Sequence, residues 1–140
     1  MLRYSLKFTH HTTLQHLVAF VVGNGDYNLH PKLKNPVADA TAIKNRLEEQ
    51  NAEVFFASDC GIDELKETFG LFLAAVRPGD AVFLFFACHA TMLDNSLRLL
   101  AISDSSKKKI NIEADSLNLD TVVSGLIIRI PHVFRTVTFH

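Results

Sequence analysis

The stretch AVFLFFACHAT, Ala81–Thr91, decides the fold and raises the functional question. From Ala81 to Ala87 every side chain is apolar. A short unbroken run of this kind is a strand covered on both faces, not one with water on one side. At its end stand Cys88 and His89, the two residue types of a nucleophile–base dyad. Adjacent residues on a strand point to opposite faces, and such dyads join side chains from different elements. Cys88 is therefore expected as a small buried residue, not as the partner of His89. A histidine directly after so apolar a run either finds a partner or faces a cleft. Imidazole titrates near neutral pH, so in a cleft it can serve as general base and acid. On the residues alone, both readings of His89 stay open.

Working outward, Leu17–Val22 (LVAFVV) is a second unbroken apolar run, stopped by Gly23, and reads as the first core strand. NPVADATAIKNRLEEQ reads as a helix, with Asn35 as N-cap, Pro36 at the first helical position, and Ala40, Ile43 and Leu47 on one face. AEVFFA (52–57) is the next strand. GIDELKETFGLFLAAVRPGD is the next helix, with Leu65, Phe69, Phe72, Leu73 and Val76 on its apolar stripe and Pro78-Gly79 as its stop. LRLLAI (97–102) is expected as a fourth strand, and EADSLNLDTVVSGLI (113–127) as a third helix. Strands alternating with helices imply an α/β fold with a mostly parallel sheet. In such sheets functional groups collect beyond the carboxyl ends of the strands, here GNGDY, SDCG and CHAT.

Composition narrows the class. A chain of 140 residues with 48% hydrophobic and 21% charged residues is one globular domain with a real core, not a disordered segment. A net charge of −1 gives no electrostatic reason to bind nucleic acid or an anionic membrane. Lys107–Lys109 reads as a solvated loop. No apolar run reaches the roughly 18 residues of a membrane-spanning helix. Two cysteines make no disulfide framework, which points to a reducing, cytoplasmic setting. Residues 1–16 are expected as a polar lead-in, 17–126 as the folded domain and 127–140 as an atypical tail.

The other candidates carry less. Gly23 and Gly25 give two of the three glycines of a dinucleotide fingerprint, but Asn28 takes the third place and no helix starts there. The glycines are expected to turn the chain, with a nucleotide-binding α/β domain as an alternative reading. His10, His11 and His16 have no carboxylate or thiol at motif spacing, so no metal site is expected. No cofactor is implied. Asp39, an acid in the first turns of a helix, is explained by the helix dipole alone.

Taken together, HLVAFVVGNGDYNLHPKLKNPVADATAIKNRLEEQNAEV, PGDAVFLFFACHA and NSLRLLAISD resemble the large-subunit (p20) region of caspase-like cysteine peptidases of family C14. GNGDYNLHPKLKNPVADA, with its HPKLK loop, is most similar to the paracaspases. The resemblance covers Leu17 to Leu126. It implies a caspase-like α/β/α sandwich and a cysteine endopeptidase acting on a peptide or protein substrate. It implies further that His89 is the general base, that the Ala90 N–H helps bind the oxyanion, and that Asp39 belongs to an S1 pocket for a basic P1 side chain. A carboxylate suits a guanidinium in such a pocket.

The departures bear on function. The family has glycine on both sides of the histidine, where this chain has Cys88 and Ala90. Alanine resists backbone angles that glycine permits, which puts the oxyanion N–H in question. The family's nucleophilic cysteine follows the next core strand in an Asp-x-Cys-Arg type motif. IIRIPHVFRTVTFH (127–140) has no cysteine, and neither Cys60 nor Cys88 takes that position. The chain reads as truncated before the small-subunit region, by a genuine end or a shifted frame. It is expected to be inactive alone. The alternative is a non-catalytic pseudoprotease that acts as a protein-binding scaffold.

Overall fold

The computed structural model describes residues 1–9, 16–130 and 134–139. Eleven elements follow in order: β1 (Leu2–Thr9), β2 (Leu17–Gly23), α1 (Pro36–Glu49), β3 (Glu53–Ser58), α2 (Ile62–Ala75), β4 (Ala81–Cys88), β5 (Ala90–Leu93), β6 (Ser96–Leu100), β7 (Ser116–Asn118), α3 (Leu119–Arg129) and β8 (Phe134–Phe139). The central sheet has the order β3-β2-β4-β1-β8. β2 pairs in parallel with β3 and β4, while β1 runs antiparallel to both β4 and β8. The sheet is therefore mostly parallel, with β1 as its reversed member.

Both faces of β2 and β4 are covered, as their unbroken apolar runs require. On one face α1 packs Ala40 and Leu47 over Ala19, Val21, Phe85 and Ala87. On the other, α2 and α3 set Leu65, Phe72, Val122 and Leu126 against Val18, Phe20, Val82, Leu84, Phe86 and Cys88. The result is the α/β/α arrangement expected of a caspase-like fold. Phe20 anchors the second face, with ring centroids 5.4 Å from Phe72 and 5.6 Å from Phe86.

Several elements differ from the sequence reading. Residues 1–16, expected as a lead-in, contribute β1, and Tyr4 is buried in the core. The tail from Ile127 completes α3 to Arg129 and supplies β8, which lies beside β1. The expected third helix begins only at Leu119, because Ser116–Asn118 pairs with β6 and the Asn118 side chain then accepts from Asp120 N–H as a cap. β5 was not expected. It forms a hairpin with β6 through Asp94 and Asn95, at φ 50° and 63°. Positive φ at both central residues is the mark of a two-residue hairpin turn. Asn35 sits at the start of α1, yet its side chain makes no capping bond.

His89 is the single residue between β4 of the central sheet and β5 of the small sheet β5-β6-β7. This junction lies at the carboxyl ends of the parallel strands.

Candidate active site

Alternation along β4 fixes which way each group points. Phe85 and Ala87 face α1, while Phe86 and Cys88 face α2 and α3. Continued one residue, the same alternation sends His89 to the α1 side. Cys88 and His89 thus diverge, as the sequence suggested.

On the α1 side the connection from β2 to α1 meets His89. Its Nε2 lies 2.7 Å from the Pro31 carbonyl oxygen. A carbonyl only accepts, so Nε2 carries the proton, and in the neutral ring Nδ1 is then the acceptor. The ring also packs on Tyr27, with centroids 4.7 Å apart, and approaches His30 at 5.8 Å. His30, to which the sequence reading gave no role, is thus a neighbour of the candidate base. Partial burial, and then the charge His89 would carry, lower the His30 pKa.

Tyr27 organises this junction. Its Oη accepts the His89 backbone N–H at 3.1 Å and donates to the Leu100 carbonyl at 2.8 Å. Leu100 N–H in turn donates to the His89 carbonyl at 2.9 Å. The phenol is wedged where a direct ladder bond would run, and burial raises its pKa well above the usual phenol range. Asn24, fully buried, ties the same corner to the connection between β3 and α2: its Oδ1 accepts from Cys60 N–H and its Nδ2 donates to Leu100 O.

The Leu100–His89 bond makes that pair the hydrogen-bonded one, so Ala90 opposite Leu99 is a non-hydrogen-bonded pair. The Ala90 N–H therefore points away from β6 and is not used in the hairpin ladder. Neither Cys88 nor Ala90 is among the described residues with positive φ. The backbone at these two positions is ordinary strand.

The loop after β2 is held by Asp59. Its Oδ1 accepts from both Gly25 and Asp26 N–H, at 2.8 and 3.0 Å. The Gly25 and Asp26 N–H groups of the GNGDY loop are thus committed to a carboxylate of the chain itself. Its glycines serve close approach rather than turning: neither has positive φ. A Cβ on Gly23 would lie 2.5 Å from the Pro36 carbonyl, and one on Gly25 2.4 Å from that of Leu33.

Asp39 lies in the first turn of α1, on the same side of the sheet as His89. It is not buried: its side chain is 33% exposed, and its Oδ2 accepts from Arg3 Nε at 2.7 Å. A cavity of about 430 Å³ surrounds the pair, lined also by Ala42, Ile43 and Phe85.

Both cysteines are free and buried. Burial pushes the Cys60 and Cys88 thiols up to about 12, so neither supplies a thiolate near neutral pH. Of the three histidines near the first core strand, His10 and His11 lie outside the described residues. His16 sits 3.3 Å from both Glu53 and Asp80. Among the described residues no helix is long and apolar enough to cross a membrane.

With this geometry in place, the comparison with known families is decisive. The family model of the caspase domain of peptidase C14 matches residues 16–134. The chain belongs to the caspase-domain family of cysteine peptidases. A search of curated proteins finds no match.

Proposed function

We propose that this chain is a paracaspase-type domain whose cleft receives a peptide or protein with a basic P1 residue, and that it performs no hydrolysis alone. His89 is the general base through Nδ1. The Ala90 N–H, directed away from the β5–β6 ladder, donates to the developing oxyanion. Asp39 receives the P1 guanidinium or ammonium. The setting is cytoplasmic, in keeping with two unpaired thiols.

The observation that carries this reading is the Nε2 contact of His89 with Pro31. It supports a neutral imidazole with Nδ1 as the acceptor, at the carboxyl edge of the sheet and on the α1 side, where Asp39 also stands. This reading assigns base, oxyanion donor and basic-side-chain acceptor to one cleft. What the cleft lacks is a thiolate. The buried, protonated Cys60 and Cys88 form no acyl-enzyme.

Incubation with fluorogenic peptides ending in Arg or Lys tests the claim of inactivity. No release above the buffer blank is expected. Turnover that disappears in His89→Ala would overturn it.

A further inference from the structure

Arg3 and Asp39 are 36 residues apart, and the fold brings them together on the α1 side of the sheet, the side to which alternation along β4 also sends His89. β1 pairs Arg3 with Ala87, and β2 pairs Gly23 with the same Ala87. Directly opposed residues share a face, so Arg3 points with Ala87 toward α1. α1 lies tight on Gly23 through Ala40, which brings the neighbouring Asp39 over the same spot. His89 is two residues beyond Ala87, roughly 7 Å along the strand.

We infer that Arg3 is a built-in pseudo-substrate: its guanidinium occupies the carboxylate that would otherwise receive a substrate's basic side chain. This rests on the assignment of Asp39 to the P1 pocket. The chemistry matches, because the group that Arg3 presents is the one the pocket would select. The position matches, because β1 is an extended segment paired along β4, and Arg3 stands opposite Ala87, two residues before the histidine. The contact is also weak enough to exchange. Only Nε meets Oδ2, the two-pronged pairing of a guanidinium with a carboxylate is not used, and the side chains are 37% and 33% exposed.

An exposed ion pair at the upper end of the usual strength leaves its carboxylate open roughly one-sixth of the time. Removing Arg3 should therefore tighten binding of a free guanidinium about sixfold.

The test is an NMR titration with Nα-acetyl-arginine amide on four chains: wild type, Arg3→Met, Asp39→Asn and the double variant. Methionine keeps an aliphatic stem in the strand, and Arg3→Gln replaces it if Arg3→Met does not fold. The expected result is about sixfold tighter binding to Arg3→Met than to wild type, lost in the double variant. Equal binding to wild type and Arg3→Met, lost in Asp39→Asn, overturns the pseudo-substrate while leaving Asp39 as the basic-side-chain site. Binding that ignores Asp39 in every chain, or no binding at all, overturns the pocket and the pseudo-substrate with it.

Discussion

The phenol oxygen of Tyr27 accepts the backbone N–H of His89 at 3.1 Å while its ring lies against the imidazole. One side chain thereby holds both the main chain and the ring of the candidate base. It also closes the corner between the two sheets by donating to Leu100.

Replacing Tyr27 by Phe keeps the ring and removes both bonds. The part-buried His89 N–H and the buried Leu100 carbonyl then each lose a partner. A loss of about 1–3 kcal/mol is expected, read as a lower urea midpoint with an unchanged m-value. The amide resonance of His89 should shift more than those of β3, which does not touch the phenol. An unchanged midpoint would show that water replaces the hydroxyl at no cost.

Asp59 has φ 44° and caps two loop N–H groups at once. Aspartate tolerates the left-handed region better than alanine does. Asp59→Ala loses the acceptor and strains the backbone, so about 2–3 kcal/mol is expected. Asp59→Asn keeps an oxygen and the backbone preference, and should lose less than half as much. Comparable losses from both variants would mean that the charge, not the geometry, holds the loop.

The Cys88 thiol gives a pH dependence whose sign follows from its raised pKa. Below about pH 9 the thiol is protonated in both folded and unfolded chains and favours neither. Between pH 9 and about 12 the unfolded chain releases the proton and the folded chain retains it. Stability should therefore fall across that window by about 1.4 kcal/mol per pH unit from this group. Cys88→Ala should flatten the alkaline slope by that amount, measured by urea unfolding at fixed pH steps. A slope unchanged by the substitution would refute the assignment.

Thiol labelling gives an independent check. At pH 8 the native chain should react with a disulfide reagent far more slowly than a free thiol, because Cys60 and Cys88 are buried and protonated. Both should react promptly in denaturant. Fast native labelling at either position would restore a candidate nucleophile.

The parts of the fold readable in the sequence are those made by continuous burial. Leu17–Val22 and Ala81–Ala87 are apolar on both faces because helices cover both, and no other state suits such runs in water. β1 was harder. LRYSLKFT alternates apolar Leu2, Tyr4, Leu6 and Phe8 with polar Arg3, Ser5, Lys7 and Thr9. That is a strand pattern, but its partner β4 lies about 80 residues on, and without the partner the polar half reads as a lead-in. β5 had a local signal in Asp94-Asn95, two residues that tolerate positive φ at a hairpin tip.

The site was legible only in part, for a similar reason. His89 stands out because a titratable side chain follows seven apolar residues. Tyr27, His30 and Pro31 meet it through the course of a loop, which no local pattern encodes. Asp39 was a candidate by resemblance alone, and its pairing with Arg3 depends on a strand added across the sheet.

The most direct test of the account is a 15N-resolved NMR titration of the wild-type chain with two acetylated tetrapeptide amides, one ending in arginine and the other in aspartate. The arginine peptide should shift the Ala90 and Asp39 amides and perturb His89, and Asp39→Asn should abolish those shifts. The aspartate peptide should leave them in place. Equal response to both peptides, or a response to arginine that survives Asp39→Asn, would contradict the reading of this rim as a cleft for a basic P1 side chain.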